Sequence, residues 1–140
     1  MKIEKIIYIV EDDIDDMLLI SEAVKSVDRD IKIISCENGA ELIEKIELTP
    51  GDQPSLILLD MNMPKMNGME TLQYIRSSRC FDHIPVVMLS TTNDFTLIES
   101  AYRAGVNTFY TKPIHYQDLK SIARELTSFF INGQYQTTED

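Results

Sequence analysis

Two rhythms of apolar residues alternate along this chain. Short, mostly apolar runs, several rich in β-branched residues, occur at Ile6–Val10, Ile31–Cys36, Ser55–Leu59, Pro85–Leu89 and Val106–Tyr110. Runs of that length and composition predict strands, and the four apolar residues Leu56–Leu59 one buried on both faces, as in a parallel sheet. Between them the apolar positions recur every three or four residues. Met17, Ile20, Val24 and Val27 mark a helix from Asp13 to Val27; Leu42, Ile43 and Ile46 mark one opened by Asn38-Gly39 and closed near Thr49-Pro50-Gly51. Met69, Leu72 and Ile75 follow an N-cap at Asn67, and Asn93 or Asp94 caps a helix that ends before Gly105. The last helix is predicted from Tyr116 to Phe130, with Leu119, Ile122, Ala123, Leu126 and Phe129 at helical spacing.

Five strand–helix units predict parallel strands, right-handed crossovers and helices on both faces of the sheet. The expected architecture is a three-layer, doubly wound α/β domain. The chain of 140 residues is read as one domain, with a core over about residues 5–131 and a polar tail, 132–140, that frays.

Composition narrows the partners. Thirteen basic against 23 acidic side chains give a formal net charge of −10. Holding nucleic acid or an anionic membrane calls for a positive surface, so neither is an expected partner. No stretch approaches the roughly 20 apolar residues of a membrane span, and Ile6–Val10 is too short for a signal peptide. A cytoplasmic protein is expected. Cys36 and Cys80 fit no metal motif and read as free thiols.

The residues that break the apolar pattern carry the chemistry. Asp60 ends the run Leu56-Ile57-Leu58-Leu59 and is followed by Met61-Asn62-Met63-Pro64 and Gly68. The first strand ends in Glu11-Asp12-Asp13, the fourth in Ser90-Thr91-Thr92, and the fifth is followed by Lys112-Pro113. In a parallel sheet all four sites lie on the carboxyl edge, where ligands of open α/β sheets bind. Three crowded carboxylates repel unless one takes a proton or a cation intervenes. Mg2+, a hard ion that takes carboxylates, carbonyls and waters, is the natural candidate. A lysine adds a fixed positive charge, and a serine hydroxyl can bond an added oxygen. Such a set suits a phosphoryl group arriving on an aspartate.

These motifs, in this order and spacing, resemble a response-regulator receiver domain of the chemotaxis-regulator type. The similarity rests on Ile9-Val10-Glu11-Asp12-Asp13, Leu58-Leu59-Asp60-Met61-Asn62-Met63-Pro64 with Gly68, Pro85–Ser90 and Lys112-Pro113, and covers about residues 5–131. The resemblance implies a flavodoxin-like fold with strand order 2-1-3-4-5. It implies a phosphoacceptor at Asp60, and Mg2+ held by Asp12, Asp60, the Asn62 carbonyl and, through water, Glu11. Ser90 takes the hydroxyl switch position, Phe109 the aromatic switch position, and Lys112 the phosphoryl contact. It further implies a cis Lys112-Pro113 bond. As partners it implies a sensor histidine kinase or histidine phosphotransfer protein, a downstream protein target, and room for a weak homodimer through the face from strand four to the last helix. In this reading the protein modifies only itself and is no general enzyme. Asn62 and Thr92 flank the phosphoryl position. A carrier role in a multistep phosphorelay fits the same residues. A haloacid-dehalogenase-like hydrolase would want an acid where Asn62 stands, and a receiver that never titrates Asp60 would not need the full acidic set.

The remaining signals read as structure. Asp13, Asp15 and Asp16 are expected to be helix N-terminal acids favoured by the dipole, and no calcium-loop spacing follows them. His83 and His115 are expected on the surface. The run Met61, Met63, Met66 and Met69 is expected to pack, and Phe129-Phe130 to close the last helix.

Overall fold

The computed structural model describes residues 4–51 and 53–132. The expected fraying at Gly133 and residues 134–140 lies outside them. Strands β1 (Ile6–Val10), β2 (Lys32–Cys36), β3 (Leu56–Leu59), β4 (Val86–Ser90) and β5 (Thr108–Thr111) alternate with helices α1 (Ile14–Val27), α2 (Gly39–Leu48), α3 (Gly68–Ser77), α4 (Phe95–Arg103) and α5 (Tyr116–Leu126). All pairings are parallel, in the order β2-β1-β3-β4-β5. The flavodoxin-like order expected from the sequence is therefore the one observed.

Strands β1, β3 and β4 are buried along their whole length, which is why their sequences run apolar without alternation. Their side chains alternate between two layers all the same. Tyr8, Val10, Ile57, Leu59 and Met88 pack with Leu42, Ile46, Leu72 and Ile75 from α2 and α3. Ile7, Ile9, Leu56, Leu58 and Leu89 pack with Ile20, Val24, Leu119 and Ala123 from α1 and α5.

The helix starts are set by side-chain caps. Asp13 accepts hydrogen bonds from the N–H groups of Asp15 and Asp16, and Asn38 from Glu41. Asn67 and Glu70 form a reciprocal capping box. Of the two residues expected to cap the fourth helix, Asp94 does so, accepting from Thr96 and Leu97.

Three expectations are corrected. Strand β5 begins at Thr108 rather than Val106, because Val106 and Asn107 instead bond to Ala101 and Val86 through their N–H groups. The last helix is α-helical only to Leu126. Thr127–Ile131 form a π-helical turn that buries Thr127, Phe130 and Ile131 while leaving Phe129 half exposed. Finally, no cis peptide bond occurs among the described residues, so Lys112-Pro113 is trans. That is the isomer X-Pro bonds favour by about 0.5–1 kcal/mol when no other contact decides.

Candidate functional site

Strand order reverses between β1 and β3, which opens a crevice at their carboxyl ends. Glu11, Asp60 and Lys112 are each the first residue after a strand, and the backbone of each is pinned by the neighbouring strand. Glu11 N–H donates to the Cys36 carbonyl at 2.9 Å, Asp60 N–H to Val10 at 3.1 Å, and Lys112 N–H to Ser90 at 2.8 Å. Gly68 brings the following loop back across this edge. A Cβ there would run into the Asp60 carbonyl oxygen and the Met61 Cα, so only glycine permits the approach.

Carboxylate oxygens of Glu11, Asp12 and Asp60 all lie within 4.8 Å of one another. Glu11 and Asp60 are buried, at 4% and 7% exposure, while Asp12 is open to solvent. Burial pushes the Glu11 carboxyl up to about 7, against the pull of Lys112 and the Asp13 N–H, and the Asp60 charge adds to the rise. Burial also raises Asp60, opposed by Lys112, the Asn62 N–H and the Ser90 hydroxyl. Three carboxyl groups this close, two of them buried, disfavour one another's charge, and the donor set is all oxygen. The cluster fits a hard divalent ion.

Lys112 is less simply placed than the sequence suggests. Its Nζ donates to Glu11 Oε1 at 2.7 Å and to Asp16 Oδ2 at 2.8 Å, but stands 3.9 Å from Asp60 Oδ2. Burial works to lower its pKa, but the bonds to Asp16 and Glu11 outweigh it and the group stays charged. Asp16 is thus a member of the site that the sequence reading assigned only to the helix dipole. Its spacing carried no signal, because its partner Lys112 lies 96 residues away in the sequence.

Ser90 is fully buried and its Oγ makes no hydrogen bond. It stands near enough to favour a charged Asp60 without the geometry of a bond. A buried hydroxyl left in that condition is costly and calls for a partner. Phe109 is half buried against the α2–α3 layer, and its N–H donates to the Tyr102 hydroxyl. Asn62 is exposed beside Asp60, and the Thr92 hydroxyl accepts from the Asp94 N–H. Met61 is buried and Met63 and Met69 pack on the same layer, as expected of that run. His83 and His115 are exposed; Cys36 and Cys80 are free thiols, the first buried and the second exposed. Among the described residues no helix is long and apolar enough to cross a membrane.

The doubly wound sheet thus carries a carboxylate cluster and a lysine together at its carboxyl edge. The response regulator receiver domain matches residues 7–124, and the chain belongs to that family of two-component signalling proteins. Response regulator Rcp1 of a Synechocystis species is 33% identical over 131 residues, covering 91% of this chain and 89% of that protein. The phosphorylated cyanobacterial phytochrome response regulator RcpA superposes with a TM-score of 0.85 at 32% identity, covering 92% of this chain and 95% of that one. The Mn2+-bound form of Rcp1 superposes with a TM-score of 0.80 at 30% identity, covering 97% of each chain.

Proposed function

We propose that the protein is a stand-alone response regulator, one domain over residues 1–140, that accepts a phosphoryl group on Asp60 from a phosphohistidine donor. The carrying observation is the position of Asp60. It is buried at the end of a central strand, with oxygens of two other carboxylates within 4.8 Å and an ammonium 3.9 Å away. The donor is a sensor histidine kinase or a histidine phosphotransfer protein.

The chemistry is a simple exchange. An Asp60 carboxylate oxygen attacks phosphorus, a P–O bond forms, and the P–N bond to the donor imidazole breaks. The imidazole leaves with the electron pair and takes a proton. Asp12, Asp60, the Asn62 main-chain carbonyl and, through water, Glu11 would hold Mg2+, which supplies charge neutralisation for the phosphoryl oxygens. That response regulator Rcp1 has a Mn2+-bound form supports a divalent ion in this chain. Lys112 then donates to one phosphoryl oxygen and Ser90 to another, which gives the orphaned hydroxyl its partner. Ser90 shifts toward that oxygen, and Phe109 turns into the space it leaves. The face from β4 to α5 is reshaped for a downstream protein. Coupling of this kind is typically about 1–3 kcal/mol, a shift of about 5- to 150-fold.

The test is incubation with phosphoramidate and Mg2+. The intact mass should rise by one phosphoryl group in the wild type and stay unchanged in Asp60→Asn. An adduct of undiminished yield in that variant, or none in the wild type, overturns the assignment.

A further inference from the structure

Asp16 stands on the third residue of α1, one turn above the acidic cluster, with its carboxylate 2.8 Å from Lys112 Nζ. An ammonium has three N–H donors. Glu11 and Asp16 each take one, and the group they hold is 3.9 Å from Asp60, beyond hydrogen-bond reach. Glu11 is almost fully buried, whereas the Asp16 side chain is 38% exposed. Of the two anchors, Asp16 is therefore the one that solvent can replace without stranding a buried charge.

We propose that Asp16 is a positioning residue that competes with the phosphoryl group for Lys112, and so sets how tightly the site holds a phosphoryl-like anion. This rests on the assignment of Asp60 as phosphoacceptor. In the resting chain Asp16 and Glu11 keep the ammonium off Asp60. A phosphoryl group on Asp60 must draw Lys112 away from Asp16 or share it, and the cost of that exchange is subtracted from anion binding. Removing the Asp16 charge leaves Lys112 one anchor fewer and the incoming anion one competitor fewer.

The experiment measures the affinity of the full chain for beryllofluoride with Mg2+, with phosphoramidate labelling of the same preparations as a control. Asp16→Asn should bind beryllofluoride about two- to fivefold more tightly, the scale of a partly exposed ion pair. Asp16→Glu, which keeps a carboxylate, should return to the wild-type value. In a Lys112→Met background the Asp16→Asn change should have no effect. Unchanged or weaker binding in Asp16→Asn sinks the proposal. So does a gain that persists without Lys112, which would mean plain charge repulsion. Asp16→Ala serves as a second variant should the amide disturb α1, and thermal melting confirms that each variant folds. Wild type that binds beryllofluoride but takes no phosphoryl group would remove the parent assignment while leaving the competition measurable. Wild type that is labelled, with Asp16→Asn unchanged in affinity, removes this inference alone.

Discussion

Arg76 and Lys112 stand at opposite edges of the sheet, and they are held by opposite kinds of partner. At the amino ends of β4 and β5, Arg76 donates to the carbonyls of Gly105, Asp82 and Ile84 and to Asn107 Oδ1, at 2.8–3.2 Å. Asn107 Oδ1 also accepts from the Val86 N–H. These partners are neutral, fixed in the backbone or beside it, and suited to the fork of a guanidinium. At the carboxyl edge Lys112 meets three carboxyl groups, and burial raises the pKa of two of them, Glu11 and Asp60. A point charge on a flexible stem can leave such partners for others. One edge is fastened, and the other is held ready for exchange.

The largest effect separates them by stability. Arg76→Ala strands several carbonyls at the end of the sheet and should cost about 2–4 kcal/mol in urea unfolding. The folded fraction should still take a phosphoryl group. A variant as stable as the wild type would mean that the amino edge is not fastened through Arg76.

A smaller effect tests the same edge through its backbone. Gly105 has φ of +106°, and a Cβ there would lie 3.0 Å from Arg76 Nε and 3.1 Å from its Cδ. Gly105→Ala should destabilise by about 1–2 kcal/mol. Part of this is the backbone cost and part the contact with Arg76. In an Arg76→Ala background only the backbone part should remain, and a double-mutant cycle separates them. Full additivity would show that the arginine yields without cost.

Most of this arrangement was legible in the sequence, for a physical reason. Burial on both faces writes strands such as Leu56–Leu59 as unbroken apolar runs, and the acid that ends the run stands out against them. The caps Asn67 and Asp94 were visible because each must offer an oxygen to a free N–H, and Asn38 was visible as the opener of its helix, whereas Asp13 read as the first helical residue and is the cap. What did not show were choices made by tertiary contacts. Phe129 and Phe130 suit an α-helix or a π-turn equally in spacing, and the burial of Phe130 with Ile131 decides between them. The Lys112-Pro113 isomer is not encoded by composition. Asp16 read as one of three helix-start acids, because its partner Lys112 lies 96 residues away. Arg76 gave no signal, since three of the acceptors named above are main-chain carbonyls that any residue carries.

The smallest effect tests whether the carboxyl edge is sensitive to protons while the amino edge is not. The Glu11 carboxyl sits at about 7 in the folded chain against an ordinary 4.5. Between those values the folded state holds a proton that the unfolded state has lost, so stability falls as pH rises across the window. The contribution is fully present below about pH 4.5 and gone above about pH 7. Solvent on the Asp12 side limits it to something on the order of 1 kcal/mol. Thermal unfolding of metal-free protein from pH 5 to 8 should show that decline, and Glu11→Gln should flatten it. Arg76→Ala should leave the decline intact, because the acceptors named above, three main-chain carbonyls and the Asn107 amide, do not titrate. A divalent cation takes the place of the proton, so the stabilisation by Mg2+ should grow as pH rises through the same window. If Mg2+ stabilised the chain equally at pH 5 and pH 8, Glu11 would be no part of the ion's environment. The two edges would then differ in geometry and not in charge.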